Sequence, residues 1–414
     1  MNQAPVQVTR QFDIDQIRSN FPILGEEVNG HRLAYLDNAA TTQKPIQVVE
    51  RVARYYRAEN SNVHRGVHSL SQRATDAFES VRERVRQYIG AADTSEVVFT
   101  SGTTDAINLV AFTLGSRLGP DDRVLITGLE HHSNIVPWQL ACERTGATLD
   151  VVPVLDSGEL DMQEYARLLD RQPALVAAVH TSNSLGTIND IKTMSAMAHE
   201  AGSLLLVDAA QAMAHGPVDV QDLGCDFLCL SAHKMFGPTG VGVLYGRRAI
   251  LESLPPWRGG GDMIDDVSFD GTTFAELPAR LEAGTPNIAG VIGFGATIDF
   301  LEDVDWSQIE KHETHLLGDA TRGLLHIGGI SIVGPDDVKA PVISFNIDGV
   351  HPYDTGTILD QLGVAVRTGH HCTMPLMKRF GLPGTVRASF ALYNNDEDVA
   401  QFVSGVEKAK KMLL

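Results

Sequence analysis

The sequence predicts an α/β fold: a large domain on a mainly parallel, seven-stranded sheet flanked by helices, then a smaller α+β domain toward the C-terminus. Three observations carry this. Seven short apolar, β-branched runs recur between Glu96 and Gly246. Most of them are separated by segments with helical periodicity. After about residue 290 the rhythm changes to a long helical stretch followed by short strands.

The runs are EVVFTSG, RVLITGLE, ATLDVVPV, ALVAAVHTSN, SLLLVDAAQ, FLCLSAHK and GVGVLYG. They are nearly continuous apolar strands rather than alternating ones, which means a sheet covered on both faces. The segments DAINLVAFTLGSRL and IKTMSAMAHEAG supply covering helices. The excursion from Arg258 to Glu276 is rich in Gly and acidic residues and reads as a hairpin near a domain boundary. It either helps cover the site or serves only packing between subunits. GISIVG, PVISFNIDG, VAVRTG and TVRASFALYN follow as strands of the smaller domain. The expected division is an N-terminal arm over 1–30 packing on the small domain, a large domain over 31–290 and a small domain over 291–414.

With 414 residues, 43% hydrophobic and 21% charged, the chain has the composition of an ordinary globular protein. Its formal charge of −19 argues against nucleic acid and anionic membranes as partners. No apolar run approaches the ~20 residues of a membrane helix. The first residues lack a basic region followed by an apolar run, so no signal peptide is expected. Four cysteines do not make a disulfide framework, and the expected compartment is the cytoplasm.

Ligands of such sheets bind at the carboxyl ends of the strands. There the sequence places Ser101-Gly102-Thr103-Thr104, Glu130-His131-His132, Ser182-Asn183, Asp208 and Ser231-Ala232-His233-Lys234. Thr103 and Thr104 open a helix, and a helix N-terminus offers free N–H groups to an anion such as a phosphate. Asp208 ends an apolar strand, where a carboxylate needs a cationic partner. Lys234 follows another strand, where desolvation suits an amine to forming an imine. A phosphate cradle, a buried acid and such a lysine together describe a site for pyridoxal 5′-phosphate. His131 is placed to stack on its ring.

The stretches YLDNAATTQKP, SNVHRGVHSLS, EHHSNIVPWQ, HTSNSLGTIND, SAHKMFGPTGVGVLYG, EAGTPN, RTGHHCTMPLM and RASFALYN carry a further reading. In this order, nearly end to end, they resemble the cysteine desulfurases of the class V aminotransferase family, of pyridoxal-phosphate fold type I. The resemblance is to the SUF-system branch, which supplies sulfur for iron–sulfur cluster assembly. It implies that Lys234 holds the cofactor, Asp208 pairs with the ring nitrogen, Gln211 bonds the ring's phenolic oxygen and His131 stacks on the ring. Thr103, Thr104, Ser231 and His233 would hold the phosphate, and Thr285 would reach the phosphate of the other subunit in a homodimer. Asn183, Arg387 and Arg367 would serve the substrate carboxylate of L-cysteine. Two departures are Thr373, where the branch usually has alanine, and DAAQ in place of DGAQ.

RTGHHC leaves Cys372 open as nucleophile, metal ligand or core thiol. A zinc site wants four ligands, and no CxxC stands elsewhere. The resemblance favours Cys372 as a persulfide-forming nucleophile and no metal. Cys142, Cys225 and Cys229 read as core. The resemblance further implies a sulfur-acceptor protein of the SufE or SufU type. Selenocysteine lyase or cysteine sulfinate desulfinase activity stands as an alternative on the same scaffold, and an aminotransferase or a non-catalytic scaffold as others.

Overall fold

Successive residues of the central strands feed two different cores. Val176, Ala178, Leu205, Val207, Leu228 and Leu230 belong to one apolar cluster. Leu175, Ala177, Leu206, Phe227 and Cys229 belong to the other. Strand geometry points alternate side chains to opposite faces, so this division means that both faces are covered. That is why the strands read as unbroken apolar runs instead of alternating ones. The computed structural model describes residues 13–336 and 338–414.

The large sheet has seven strands. Their order is Val97–Thr100, Gly242–Gly246, Phe227–Ser231, Leu204–Asp208, Leu175–Val179, Arg123–Thr127 and Thr148–Val152. Gly242–Gly246 runs antiparallel to both of its neighbours, and the other pairings are parallel. The fold is thus the type I α/β fold expected from the sequence. The parallel strands end together at Thr127, Val179, Asp208 and Ser231, which gathers their following loops on one edge.

The helix Ile288–Glu302 packs on Ile46–Arg54 and Ser69–Tyr88. It is buried nearly all round. A Cβ on Gly293 would meet Val52 Cγ2 at 2.5 Å, so only glycine lets these helices approach so closely. The division expected at residues 290 and 291 falls inside this helix.

A four-stranded antiparallel sheet forms the C-terminal module, in the order Ile330–Val333, Val342–Ile347, Thr385–Ser389 and Arg367–Gly369. Helices Trp306–Ile327, Pro352–Gln361 and Asp396–Leu413 accompany it. The run VAVRTG, read as one strand, is two. Val364–Ala365 pairs in parallel with Ala34–Tyr35, whereas Arg367–Gly369 joins the four-stranded sheet. Ala34 and Leu36 lie in the core of this module. Of the expected N-terminal arm, residues 1–12 lie outside the described residues. Past them, Arg18 donates to Asp398 Oδ2 (2.9 Å) and to the Tyr393 carbonyl (2.9 Å). The predicted excursion forms a hairpin, Ile264–Ser268 against Gly271–Phe274, with Phe269 fully exposed at its tip.

Candidate active site

A cavity of about 290 Å³ opens at the carboxyl edge of the large sheet and is closed from the other side by the loop bearing Cys372. Thr103, Thr104, His131, Asn183, Asp208, Ser231, His233, Lys234, Arg367, Cys372 and Arg387 all line it. These residues come from nearly the whole length of the chain, and the sheet's topology is what brings them together.

One end is built for an anion. Gly102 (φ 152°, ψ 176°) turns the chain from strand to helix in a conformation open to glycine, and the helix Thr103–Thr113 starts there. The Thr103 N–H donates to Ser231 Oγ at 2.8 Å, and the two hydroxyls meet at 2.8 Å. His233 Nδ1 lies 3.2 Å from Thr41 Oγ1. Burial and nearby Lys234 push the His233 ring down to about 4, so it is a neutral partner near pH 7.

In the middle stand a buried acid and a half-buried lysine. Burial raises the Asp208 carboxyl above its ordinary range, against the opposing pull of Lys234 and a hydrogen bond from the Ala210 N–H (2.9 Å). Burial lowers the Lys234 amine, with Asp208 opposing and Arg387 adding to the fall. His131 is held at about 3 by burial and Lys234. Its Nδ1 accepts from the Ser133 N–H at 3.1 Å, so the neutral ring carries its proton on Nε2.

At the other end Arg387 is buried. It donates through Nη1 to the Asn183 carbonyl (2.9 Å) and through Nη2 to Asp37 Oδ1 (3.1 Å). Arg367 grips the same Asp37 (Nη2–Oδ2 2.9 Å). Burial brings Arg387 down to about 10, leaving it cationic at neutral pH. Its Nε, and Oδ1 of Asn183, are buried without a hydrogen-bond partner among the described residues.

Cys372 sits between the strand Arg367–Gly369 and the helix Met374–Arg379. It is the exposed thiol of the four, while Cys142, Cys225 and Cys229 are core as expected. The neighbouring imidazoles are engaged elsewhere, one within the loop and one by the adjacent strand Thr385–Ser389. His370 Nδ1 accepts from the Cys372 N–H (3.1 Å), and His371 Nε2 meets Thr385 Oγ1 at 2.8 Å. Thr373 is fully buried, its hydroxyl shared between Ser184 Oγ (2.7 Å) and the His370 carbonyl (2.9 Å).

The class V aminotransferase family matches residues 34–402. A probable cysteine desulfurase of Halalkalibacterium halodurans is 50% identical over 397 residues, covering 96% of this chain and 98% of that one. The cysteine desulfurase of Pectobacterium atrosepticum is 46% identical, covering 97% and 99%. The chain belongs to the class V aminotransferases, among the cysteine desulfurases. Solved structures agree with this placement. An apo cysteine desulfurase of Thermococcus onnurineus superposes with a TM-score of 0.93 at 40% identity, covering 97% of this chain and all of that one. The cysteine desulfurase CsdA of Escherichia coli gives 0.91 at 39% identity, covering 98% and 100%.

The cofactor of class V aminotransferases is pyridoxal 5′-phosphate, and this desulfurase-family site fits it. The hydroxyl-lined helix N-terminus suits the phosphate, Asp208 suits a protonated ring nitrogen, and Lys234 offers the amine. The partnerless Arg387 Nε and Asn183 Oδ1 leave hydrogen-bonding capacity for a substrate.

Two expected residues stand outside the cavity lining. Gln211 is buried and donates through Nε2 to the carbonyl of Ala39, itself a lining residue (2.7 Å). Thr285 lies in a separate cleft with Ser101, Asp105, Trp257 and Arg258. Sequence reasoning gave no role to Asp37, which ends AYLD as an acid after an apolar pair. Nor did it single out Lys44, whose half-buried ammonium donates to the carbonyls of His233 (2.9 Å) and Thr42. Burial alone lowers Lys44 to about 7.

Proposed function

We propose that the protein removes sulfur from L-cysteine, releasing L-alanine and holding the sulfur as a persulfide on Cys372. The observation that carries this is one cavity lined by a half-buried lysine, a buried acid and the chain's exposed thiol. The net step balances: the sulfur–sulfur bond to Cys372 forms as the substrate's C–S bond breaks. The carbon keeps the electron pair and takes a proton.

Bound pyridoxal phosphate supplies an electron sink for the pair left at the substrate α-carbon. Asp208 stabilises positive charge beside it, and neutral His131 covers the site without adding charge. Lys234, with its lowered pKa, holds the cofactor and then takes the α-proton as a neutral amine. Arg387 and Asn183 hold the substrate carboxylate, and Arg367 keeps Asp37 in place beside them. Thr103, Thr104, Ser231 and His233 hold the phosphate. Gln211 would serve the cofactor's phenolic oxygen.

Replacing Arg387 with Lys keeps the charge but loses the planar fork. KM for L-cysteine should rise about 10–100-fold while the cofactor's visible absorption stays, as steady-state kinetics and a spectrum will show.

The sulfur then passes to an acceptor protein, of SufE or SufU type, in a SUF-like route to iron–sulfur clusters in the cytoplasm. The working form is a homodimer. Thr285 sits in a cleft away from its own chain's cavity, and Val67 and Phe269 are fully exposed apolar residues. The hairpin around Phe269 lines no part of its own chain's cavity.

Product analysis tests the activity. With L-cysteine and a thiol reductant, which supplies the two electrons that free sulfide from the persulfide, the protein should yield alanine and sulfide in equal amounts. A keto acid in their place would favour an aminotransferase. Alanine from selenocysteine, undiminished in Cys372→Ala while L-cysteine turnover is lost, would favour a lyase.

A further inference from the structure

His371 (φ 50°) and Cys372 (φ 57°) are consecutive non-glycine residues in the left-handed region. Such backbone persists only where its surroundings over-determine it. Bonds inside the loop, from the Cys372 N–H to His370 Nδ1 and from the Thr373 N–H to the His370 carbonyl (2.8 Å), fix its shape. They do not fix where the loop stands relative to the large sheet.

That placement comes from bonds across the cavity mouth. Asn183 Nδ2 donates to the His371 carbonyl at 2.8 Å, and Ser184 reaches Thr373. His132 makes two more, both just C-terminal to the thiol-bearing carbon. Its backbone N–H donates to the Cys372 carbonyl at 2.8 Å. Its ring Nε2 accepts from the Met374 N–H at 3.1 Å, in the first turn of the following helix, where that N–H has no intrahelical partner. The ring also lies against His370, centroids 5.6 Å apart at 34°. An accepting Nε2 requires the neutral ring with its proton on Nδ1. Burial and His370 both hold His132 below its ordinary pKa, which agrees with that form.

We propose that His132 is a positioning residue for the sulfur-transfer step. Its ring nitrogen holds the amide of Met374 and so sets the reach of the Cys372 sulfur toward the substrate sulfur. His131, one residue earlier, lines the cavity beside Lys234. One dipeptide therefore spans the amine that handles the proton and the thiol that takes the sulfur. This inference rests on the reading of Cys372 as the sulfur acceptor. It separates two half-reactions: removal of an α-proton depends on Lys234, whereas persulfide formation depends in addition on His132.

The test uses the cofactor-loaded enzyme and its His132→Ala and His132→Gln variants. Exchange of the L-alanine α-proton in deuterium oxide, followed by NMR, reports the Lys234 half. Single-turnover persulfide formation on Cys372, followed by mass spectrometry, reports the other. In His132→Ala persulfide formation should slow about 10–100-fold while exchange stays within about twofold. The alkylation rate of Cys372 by iodoacetamide should change as well. His132→Gln restores an acceptor and should recover most of the lost rate. Wild-type persulfide formation in His132→Ala overturns the proposal. So does a His132→Gln enzyme as slow as His132→Ala, and so does an equal loss of both half-reactions, which marks a general collapse of the site. Undiminished L-cysteine turnover in a Cys372→Ala control would strike the underlying reading and not the role of His132.

Discussion

Cys372→Ala should keep the cofactor and lose the reaction. Its visible spectrum and its exchange of the L-alanine α-proton should match wild type, because neither involves the thiol. Alanine formation from L-cysteine should fall by at least ~10³-fold, since the variant lacks the group that accepts the sulfur. Near-normal folding is also expected. Cys372 is exposed, unlike Cys142, Cys225 and Cys229, so removing its sulfur leaves no core cavity. Continued alanine formation at the wild-type rate would mean that a nucleophile other than Cys372 takes the sulfur from the substrate.

Lys234→Ala should remove both the covalent link to the cofactor and the base. The absorption of a protein-linked cofactor should disappear, and borohydride treatment should leave no label on the peptide around position 234. Turnover should drop by at least ~10⁴-fold, the upper range for loss of a positioned proton-transfer group. The wild-type pH profile follows from the same residue. Burial lowers the amine from its ordinary value of 10.5, Asp208 opposing. Proton removal needs the neutral amine, so the exchange rate of L-alanine should rise with pH and level off below 10.5. A rate still climbing beyond that pH would mean an unperturbed lysine or a different base.

The legible part of this protein was the part governed by strand ends. Doubly covered strands write themselves as apolar runs, and the polar residue after each run marks the ligand edge. Asp208, Lys234, His131 and Thr104 could therefore be found along the chain before any of them met in space. Asp37 could not be found this way. It belongs to a short segment pairing with Val364–Ala365, and its two arginine partners lie more than three hundred residues further on. VAVRTG reads as one strand because every residue up to Thr368 suits a sheet. Only the presence of Ala34–Tyr35 beside Val364 divides it between two sheets. The boundary near residue 290 was blurred for a related reason. The helix Ile288–Glu302 is apolar all round and carries no amphipathic stripe to say which core it serves. His132 stood at a strand end without a role, because the bonds it makes run through a backbone N–H and one ring nitrogen, and neither leaves a pattern in sequence.

If Cys372 carries the substrate's sulfur, the mass of the protein itself records it. The cofactor-loaded enzyme is mixed with one equivalent of L-cysteine, without reductant or acceptor, and analysed whole and as peptides. A gain of one sulfur atom is expected on the peptide containing Cys372, with one alanine released per sulfur bound. Alanine released while that peptide stays at its original mass, or sulfur found on another cysteine, would contradict it.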